Sequence, residues 1–183
     1  PVVAGAVWLN GADIFGLDDS KRLSAKRRAV LEVQIKTQCH WAIGLADPAE
    51  IDAINILNAT MLAMTRAVSA LCAQIGEPHD ILIDGNLTPH KRAADWRWPA
   101  RAIIGGDASE PCISAASIIA KEHRDRIMHQ LAIDHPQYGW DRNAGYGTSA
   151  HMAALNAHGP TIHHRLSFAP VARAFQAIPK EQK

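Results

Sequence analysis

Asp84 ends a short apolar run, Asp80 to Asp84 (DILID), and is followed at once by Gly85-Asn86. A carboxylate at the exit of an apolar strand escapes burial, and strand exits in α/β folds are where sites tend to be built. Gly85 lets the chain turn sharply or approach a ligand closely. A simple turn-forming Asp-Gly step explains the same residues equally well. Asp125 closes the stretch Ser114 to Asp125 (SAASIIAKEHRD), in which Ser114, Ala115, Ser117, Ile118 and Lys121 fall at helical spacings. Asp125 follows Lys121 by one helical turn, so an exposed Lys-Asp pair is the plainer reading. Carboxylates from different elements have a joint chemical use if they converge on hard cations. Magnesium and manganese take oxygen ligands and keep several waters. Two such ions about 4 Å apart can activate a water and stabilise the leaving oxygen in phosphodiester hydrolysis. Composition and spacing alone do not make Asp84 and Asp125 converge.

Other chemistries find less support. The ten histidines include His151, His158, His163 and His164 near the C-terminal end, but there is no HExxH and no His-Cys set with zinc spacing. There is no Walker-type phosphate loop and no GxSxG elbow. Cys39, Cys72 and Cys112 are far apart and form no CxxC pair. Such a sparse, odd set fits reduced thiols in a cytoplasm. Net charge is only +1, yet Lys21, Arg22, Lys26, Arg27 and Arg28 crowd together, and His90, Lys91, Arg92, Arg97 and Arg101 form a second basic stretch. Local patches of this kind can neutralise phosphates; the plainer alternative is a solvated helix face.

The elements that must position these residues follow from hydrophobic patterning. Val2 to Leu9 reads as a buried strand, closed by the Asn10-Gly11 turn. Ser24 is an N-cap for a helix to about Cys39, and Trp41 to Ala46 is a second strand. Asp47-Pro48 opens another helix. Its stripe of Leu57, Met61, Met64, Val68, Leu71 and Ile75 predicts one apolar face. Asp80 to Asp84 and Arg101 to Ile104 are short strands. Helices follow from about Ser114 to before Pro136 and from Ser149 to His158. Strands that alternate with helices predict a mixed α/β sheet covered by helices. The 183 residues suit one domain, and 48% hydrophobic with 20% charged residues is ordinary for a soluble globular protein. No apolar run approaches the roughly 20 residues that span a bilayer, so no membrane is expected.

Six stretches together resemble bacterial ribonuclease HII: GLDDSKRL (Gly16 to Leu23), NILNATMLAM (Asn55 to Met64), IDGN (Ile83 to Asn86), SAASIIAKEHRD (Ser114 to Asp125), GYGT (Gly145 to Thr148) and HHRLSFAP (His163 to Pro170). They stand in the family's order and approximate spacing, and cover almost the whole chain. The resemblance implies a ribonuclease H-like fold, a five-stranded mixed sheet flanked by helices. Residues 1–135 would form the catalytic core, and 136–183 a small helical part that contacts substrate. It implies a monomeric endonuclease that cleaves RNA in RNA-DNA hybrids and 5′ of ribonucleotides embedded in duplex DNA. Magnesium or manganese would be the cofactor, and a sliding clamp is a candidate partner. The residues it implies are Asp84 and Asp125 as catalytic metal ligands, Tyr146 packed on the sugar beside the ribonucleotide, and Lys21, Lys121 and Ser117 as substrate contacts.

The chain also departs from the family pattern. The family opens with a strand ending in Asp-Glu and then a Gly-Arg-Gly loop that reads the 2′-hydroxyl. Pro1 stands where that loop should already have passed. The resemblance therefore implies that the central strand and two metal-binding carboxylates lie outside this chain. Its inner strands would then have open edges, and the chain alone would be unstable and inactive. On that expectation the alternative is a relative that binds nucleic acid without cutting it. Gly105, Asn143 and Ala144 also stand where the family usually carries cations or a histidine.

Overall fold

A computed structural model describes residues 1–177. The chain folds as β1 (Val2–Trp8), α1 (Ala25–Gln38), β2 (His40–Ala46), α2 (Pro48–Ile75), β3 (Ile81–Asp84) and β4 (Ala100–Ile103). Then come α3 (Gly106–Ser109), α4 (Pro111–Asp134), a 3₁₀ turn (Pro136–Tyr138), α5 (Trp140–Asn143), α6 (Ser149–His158) and α7 (Ala169–Ala177). The C-terminal end of the 136–183 assignment, residues 178–183, lies outside the described residues.

β1 and β2 form an antiparallel pair in the register Val2↔Ala46 to Trp8↔His40. Its two faces carry different helices. Ala4, Ala6, Ala42 and Ala46 face α2, where Ala59, Ala63 and Ala67 are fully buried. Val7, Trp41 and Ile43 face α1 and α4. Small residues set the closeness of both contacts. A side chain at Gly44 would collide with the Ala63 carbonyl of α2, and one at Gly5 with the Ala116 carbonyl of α4. The hairpin is thus clamped between helices that touch its backbone.

β3 and β4 are parallel, with Asp84 opposite Ile103. The five-stranded sheet expected from the sequence is, among the described residues, two separate strand pairs. No ladder joins β1 to β3. Instead a cavity of about 920 Å³ lies between them, lined by residues 3–11, by Met64, Val68 and Leu71 of α2, by residues 76–84 leading into and along β3, and by Ala116, Ser117 and Ala120 of α4. Each pair therefore turns one edge toward the same cavity.

The helix starts come where the caps predict. The Ser24 hydroxyl accepts the Arg27 amide, and Asp47 and Glu50 form a reciprocal capping box. The helix expected around Ser114 begins earlier, at Pro111, which supplies the first helical residue. One expectation needs correcting: α2 contains an 18-residue window of mean hydropathy 1.4, long and apolar enough to cross a membrane by length and composition. It is also not one regular helix. Asn55 sits at φ 66°, and its side chain accepts the Asn58 amide at 3.1 Å, capping a second helical piece. The break turns Leu57 outward (38% exposed), while Met61, Val68 and Leu71 keep the inward stripe.

The helical C-terminal part docks on the end of α4 through Met128, Ala132, Tyr138 and Trp140. Asp52 of α2 ties it down as well, accepting the Leu166 and Ser167 amides at 2.7 and 2.9 Å.

Candidate active site

Parallel pairing brings the exits of β3 and β4 to the same end of the strand pair. Asp84 is the last residue of β3 and is exposed. Gly85 then turns away at φ 103°, a value that suits only glycine. On the neighbouring strand the chain passes Ile103 and turns through Gly105 into α3, whose second residue is Asp107. The Asp107 amide donates to Asp84 Oδ1 at 3.4 Å, and its carboxylate lies 3.9 Å from the Lys21 ammonium. Two carboxylates from different elements thus meet at one strand exit. Burial raises the Asp107 carboxyl above its ordinary value, and the negative charges of Asp84 and Asp19 raise it further against the pull of Lys21. A raised carboxyl beside a second carboxylate is the electrostatic signature of a place that would gain from a cation.

Asp125 is elsewhere in the network. Its Oδ1 accepts Lys121 Nζ at 2.7 Å across one turn of α4, and its Oδ2 lies 3.6 Å from Arg28. Arg28 in turn donates to Glu122 at 2.7 Å and to the carbonyls of Ser20 and Leu23, which fastens the Asp18–Leu23 loop to α4. No hydrogen bond or ion pair joins Asp125 to Asp84 or Asp107 among the described residues. The structure therefore brings Asp84 together with Asp107 and Lys21, and Lys121 together with Asp125. Ser117 donates to the Ser114 carbonyl and lines the large cavity together with Asp84. Tyr146 is 66% exposed, with the Arg124 guanidinium 5.9 Å from its ring centre.

Sequence reasoning passed over Asp107. Its signal was the same as that of Asp84, a carboxylate beside glycine just past a short apolar strand (Ile103-Ile104-Gly105-Gly106-Asp107). What it lacked was the parallel pairing that makes the two exits neighbours. The two basic stretches prove largely self-neutralised. Arg22 pairs with Asp18, Arg97 with Glu77 and Arg101 with Asp80, while Arg27 donates to the Phe15 carbonyl. Lys26, Lys91 and Arg92 remain exposed.

The donors fit a hard divalent cation in kind: the exposed Asp84 and the half-buried Asp107 offer carboxylate oxygens at one strand exit. Among the described residues, no group of three or more His, Cys, Asp or Glu side chains is placed to hold a metal ion. Two carboxylates would leave most of the shell to water or phosphate oxygen, as magnesium prefers.

An α/β fold of strand pairs covered by helices, with Asp84 and Asp107 brought together where two parallel strands end and Lys21 beside them, has the layout of a ribonuclease H-like protein. The solved structures it resembles bear this out for the fold. It matches an Archaeoglobus fulgidus ribonuclease HII determined in complex with PCNA (TM-score 0.67, 20% identity, 91% of this chain and 89% of that one). It also matches a Bst ribonuclease HIII in complex with Mn²⁺ (TM-score 0.68, 20% identity, 88% of this chain and 58% of that one). The family profile for ribonuclease HII matches residues 1–171, and the ribonuclease HII of Novosphingobium aromaticivorans is 64% identical over 176 residues, 94% of this chain and 90% of that protein. The chain belongs to the ribonuclease HII family and is a type II ribonuclease H.

Proposed function

We propose that the protein cleaves the RNA strand of RNA-DNA hybrids and cuts 5′ of ribonucleotides embedded in duplex DNA, with a divalent cation held by Asp84 and Asp107. The observation that carries this reading is the meeting of those two carboxylates at the exits of β3 and β4, in a chain of the ribonuclease HII family. The cation, when bound, would activate water and stabilise charge on the phosphate; two such ions are the arrangement that phosphodiester hydrolysis uses elsewhere. The Mn²⁺ in the related ribonuclease HIII supports manganese, with magnesium as the alternative hard ion.

The chain's own residues divide the remaining work. Lys21, whose side chain is 77% exposed beside Asp107, is placed to meet a backbone phosphate. Tyr146, exposed and backed by Arg124, offers a flat face to a sugar or base. Lys121 holds Asp125, and Arg28 draws the Asp18–Leu23 loop onto the same helix. In this reading Asp125 acts through that network and Asp107 takes the place in the metal shell first expected for Asp125. Ser117 lines the same cavity as Asp84. We further infer a monomer working in the cytoplasm, and a ring-shaped clamp as partner, as the archaeal relative's complex with PCNA supports.

The test is cleavage, with Mn²⁺ or Mg²⁺, of three labelled duplexes: an RNA-DNA hybrid, a DNA duplex carrying one ribonucleotide, and an all-DNA control. Cutting of the first two, lost on Asp84→Asn, is the expected result. Cutting that survives Asp84→Asn overturns the assignment of the site.

A further inference from the structure

The helical C-terminal part holds a buried chain of ring nitrogens whose proton positions the structure fixes. The Tyr146 carbonyl lies 3.0 Å from His151 Nδ1, and a carbonyl only accepts, so Nδ1 carries the proton. His151 Nε2 is then an acceptor, facing Trp140 Nε1–H at 3.4 Å and His164 Nε2 at 3.3 Å. At the far end the Thr161 amide donates to His164 Nδ1 at 3.0 Å, so the His164 proton is on Nε2, pointing at His151. The order is closed: Thr161 N–H to His164, His164 to His151, His151 to the Tyr146 carbonyl. Both rings are buried, 5% and 7% exposed, and stack edgewise with Tyr138 and Trp140.

The Tyr146 end of this chain is not core. Tyr146 sits in a loop whose shape costs backbone freedom. Ala144 lies at φ 47°, and the Asn143 side chain accepts the Gly145 amide while donating to the Tyr138 carbonyl. The Tyr146 carbonyl also accepts the Thr148 amide at 2.8 Å, and Thr148 caps α6 by accepting the His151 amide. The carbonyl of the one exposed aromatic residue in this loop is therefore gripped by the buried pair, while its ring is exposed beside Arg124.

We infer that His151 and His164 form a positioning relay that holds the Tyr146 loop in the shape that presents its ring to the nucleic acid. The inference rests on the reading of Tyr146 as a substrate contact. His151 touches no substrate; it acts through the backbone of Tyr146. The segment Thr161–His164 is thereby coupled to the substrate face through two rings.

Two measurements separate the relay from the reading beneath it. Hydrogen-deuterium exchange over residues 144–150 reads the loop without nucleic acid. His151→Ala is expected to speed exchange there and leave β1–β2 unchanged, while His151→Asn, whose amide can donate to the same carbonyl, restores protection. His164→Gln, milder should His151→Ala melt without cooperativity, is expected to move the same peptides less. Unchanged exchange in both His151→Ala and His164→Gln overturns the relay. The second measurement is anisotropy of a labelled RNA-DNA hybrid in chelator. Tyr146→Ala and His151→Ala are each expected to weaken binding about five- to tenfold, the size of one or two lost contacts, and the double variant no further than Tyr146→Ala alone. Additive losses overturn the relay, since His151 would then act independently of Tyr146. Full binding by Tyr146→Ala overturns the substrate reading of Tyr146, whatever the exchange shows.

Discussion

The Asp107 amide points at Asp84 Oδ1 across 3.4 Å, so two like-charged side chains stand together where adjacent parallel strands end, with this hydrogen bond and the Lys21 ion pair at 3.9 Å to offset their repulsion. Burial and the Asp84 charge raise the Asp107 carboxyl. Without a cation this arrangement costs stability. Asp107→Asn removes a charge and keeps the amide that contacts Asp84. It is expected to melt higher than the parent chain in chelator, and to lose at least about a hundredfold in cleavage with Mn²⁺, since a lost ligand forfeits several kcal/mol of transition-state stabilisation. A variant that melts lower in chelator would remove the like-charge argument.

Asp125 decides between two metal shells. Its carboxylate already holds Lys121 at 2.7 Å and lies near Arg28, so a cation there would compete with two resident positive charges. Calorimetric titration with Mn²⁺ is expected to show binding lost in Asp84→Asn and Asp107→Asn, and kept within about threefold in Asp125→Asn, the range of a surface electrostatic change. Loss of Mn²⁺ binding in Asp125→Asn would return that residue to the shell.

Much of the frame was legible in sequence because it rests on local rules. Ser24 and Asp47 mark helix starts by capping, and Val2 to Leu9 and Trp41 to Ala46 read as strands from their apolar runs, against Val2–Trp8 and His40–Ala46 in the structure. Asp84 was legible because a strand exit and a glycine coincide there. Asp107 was not, because its meaning depends on the parallel pairing of β3 with β4, a contact between residues far apart in the chain. The break at Asn55 was hidden for a different reason. The apolar stripe continues across it, and only the left-handed backbone turns Leu57 outward. The histidines near the C-terminal end were visible as a cluster, but their zinc-free spacing gave no hint that His151 and His164 share a proton order.

Glu32 offers a test of what fastens α1 to α4. It is 8% exposed and accepts both Arg126 nitrogens at 2.8 and 2.7 Å, and Lys36 at 2.8 Å. Burial alone would raise its carboxyl, but the hydrogen bonds from Arg126 and Lys36 outweigh it and hold it below its ordinary value. The stability this gives is present above the unfolded carboxyl's range and is lost as pH falls through the lowered value. Glu32→Gln is expected to cost about 1–3 kcal/mol at pH 7, because charge-assisted bonds to a buried carboxylate are replaced by neutral ones. Urea melts of the two chains, followed from pH 7 into the acid range, should converge once the pH has fallen below the lowered Glu32 value. A difference that persisted at the lowest pH at which both chains stay folded would mean that the charge of Glu32 is not what holds the helices.

His164 should leave its own mark on the acid side. Burial, followed by the neighbouring His151, lowers its pKa to about 4, well under the 6.5 of a free histidine. The folded chain therefore refuses a proton that the unfolded chain accepts, and stability falls as pH drops from about 6.5 to about 4, then stops changing on this account. Over that window the loss approaches about 3 kcal/mol at most, one pKa unit being worth about 1.4 kcal/mol. The geometry agrees with burial as the main cause: the His164 ring is 7% exposed, enclosed by Tyr138, Trp140 and His151. His164→Gln, which cannot take the proton, should flatten this limb of the stability-pH curve while lying below the parent chain at pH 7. Thermal melts between pH 7 and 4 measure both slopes. Equal slopes would mean that His164 is not the group that titrates, and His163, whose value burial and His135 also lower, would be the next to replace.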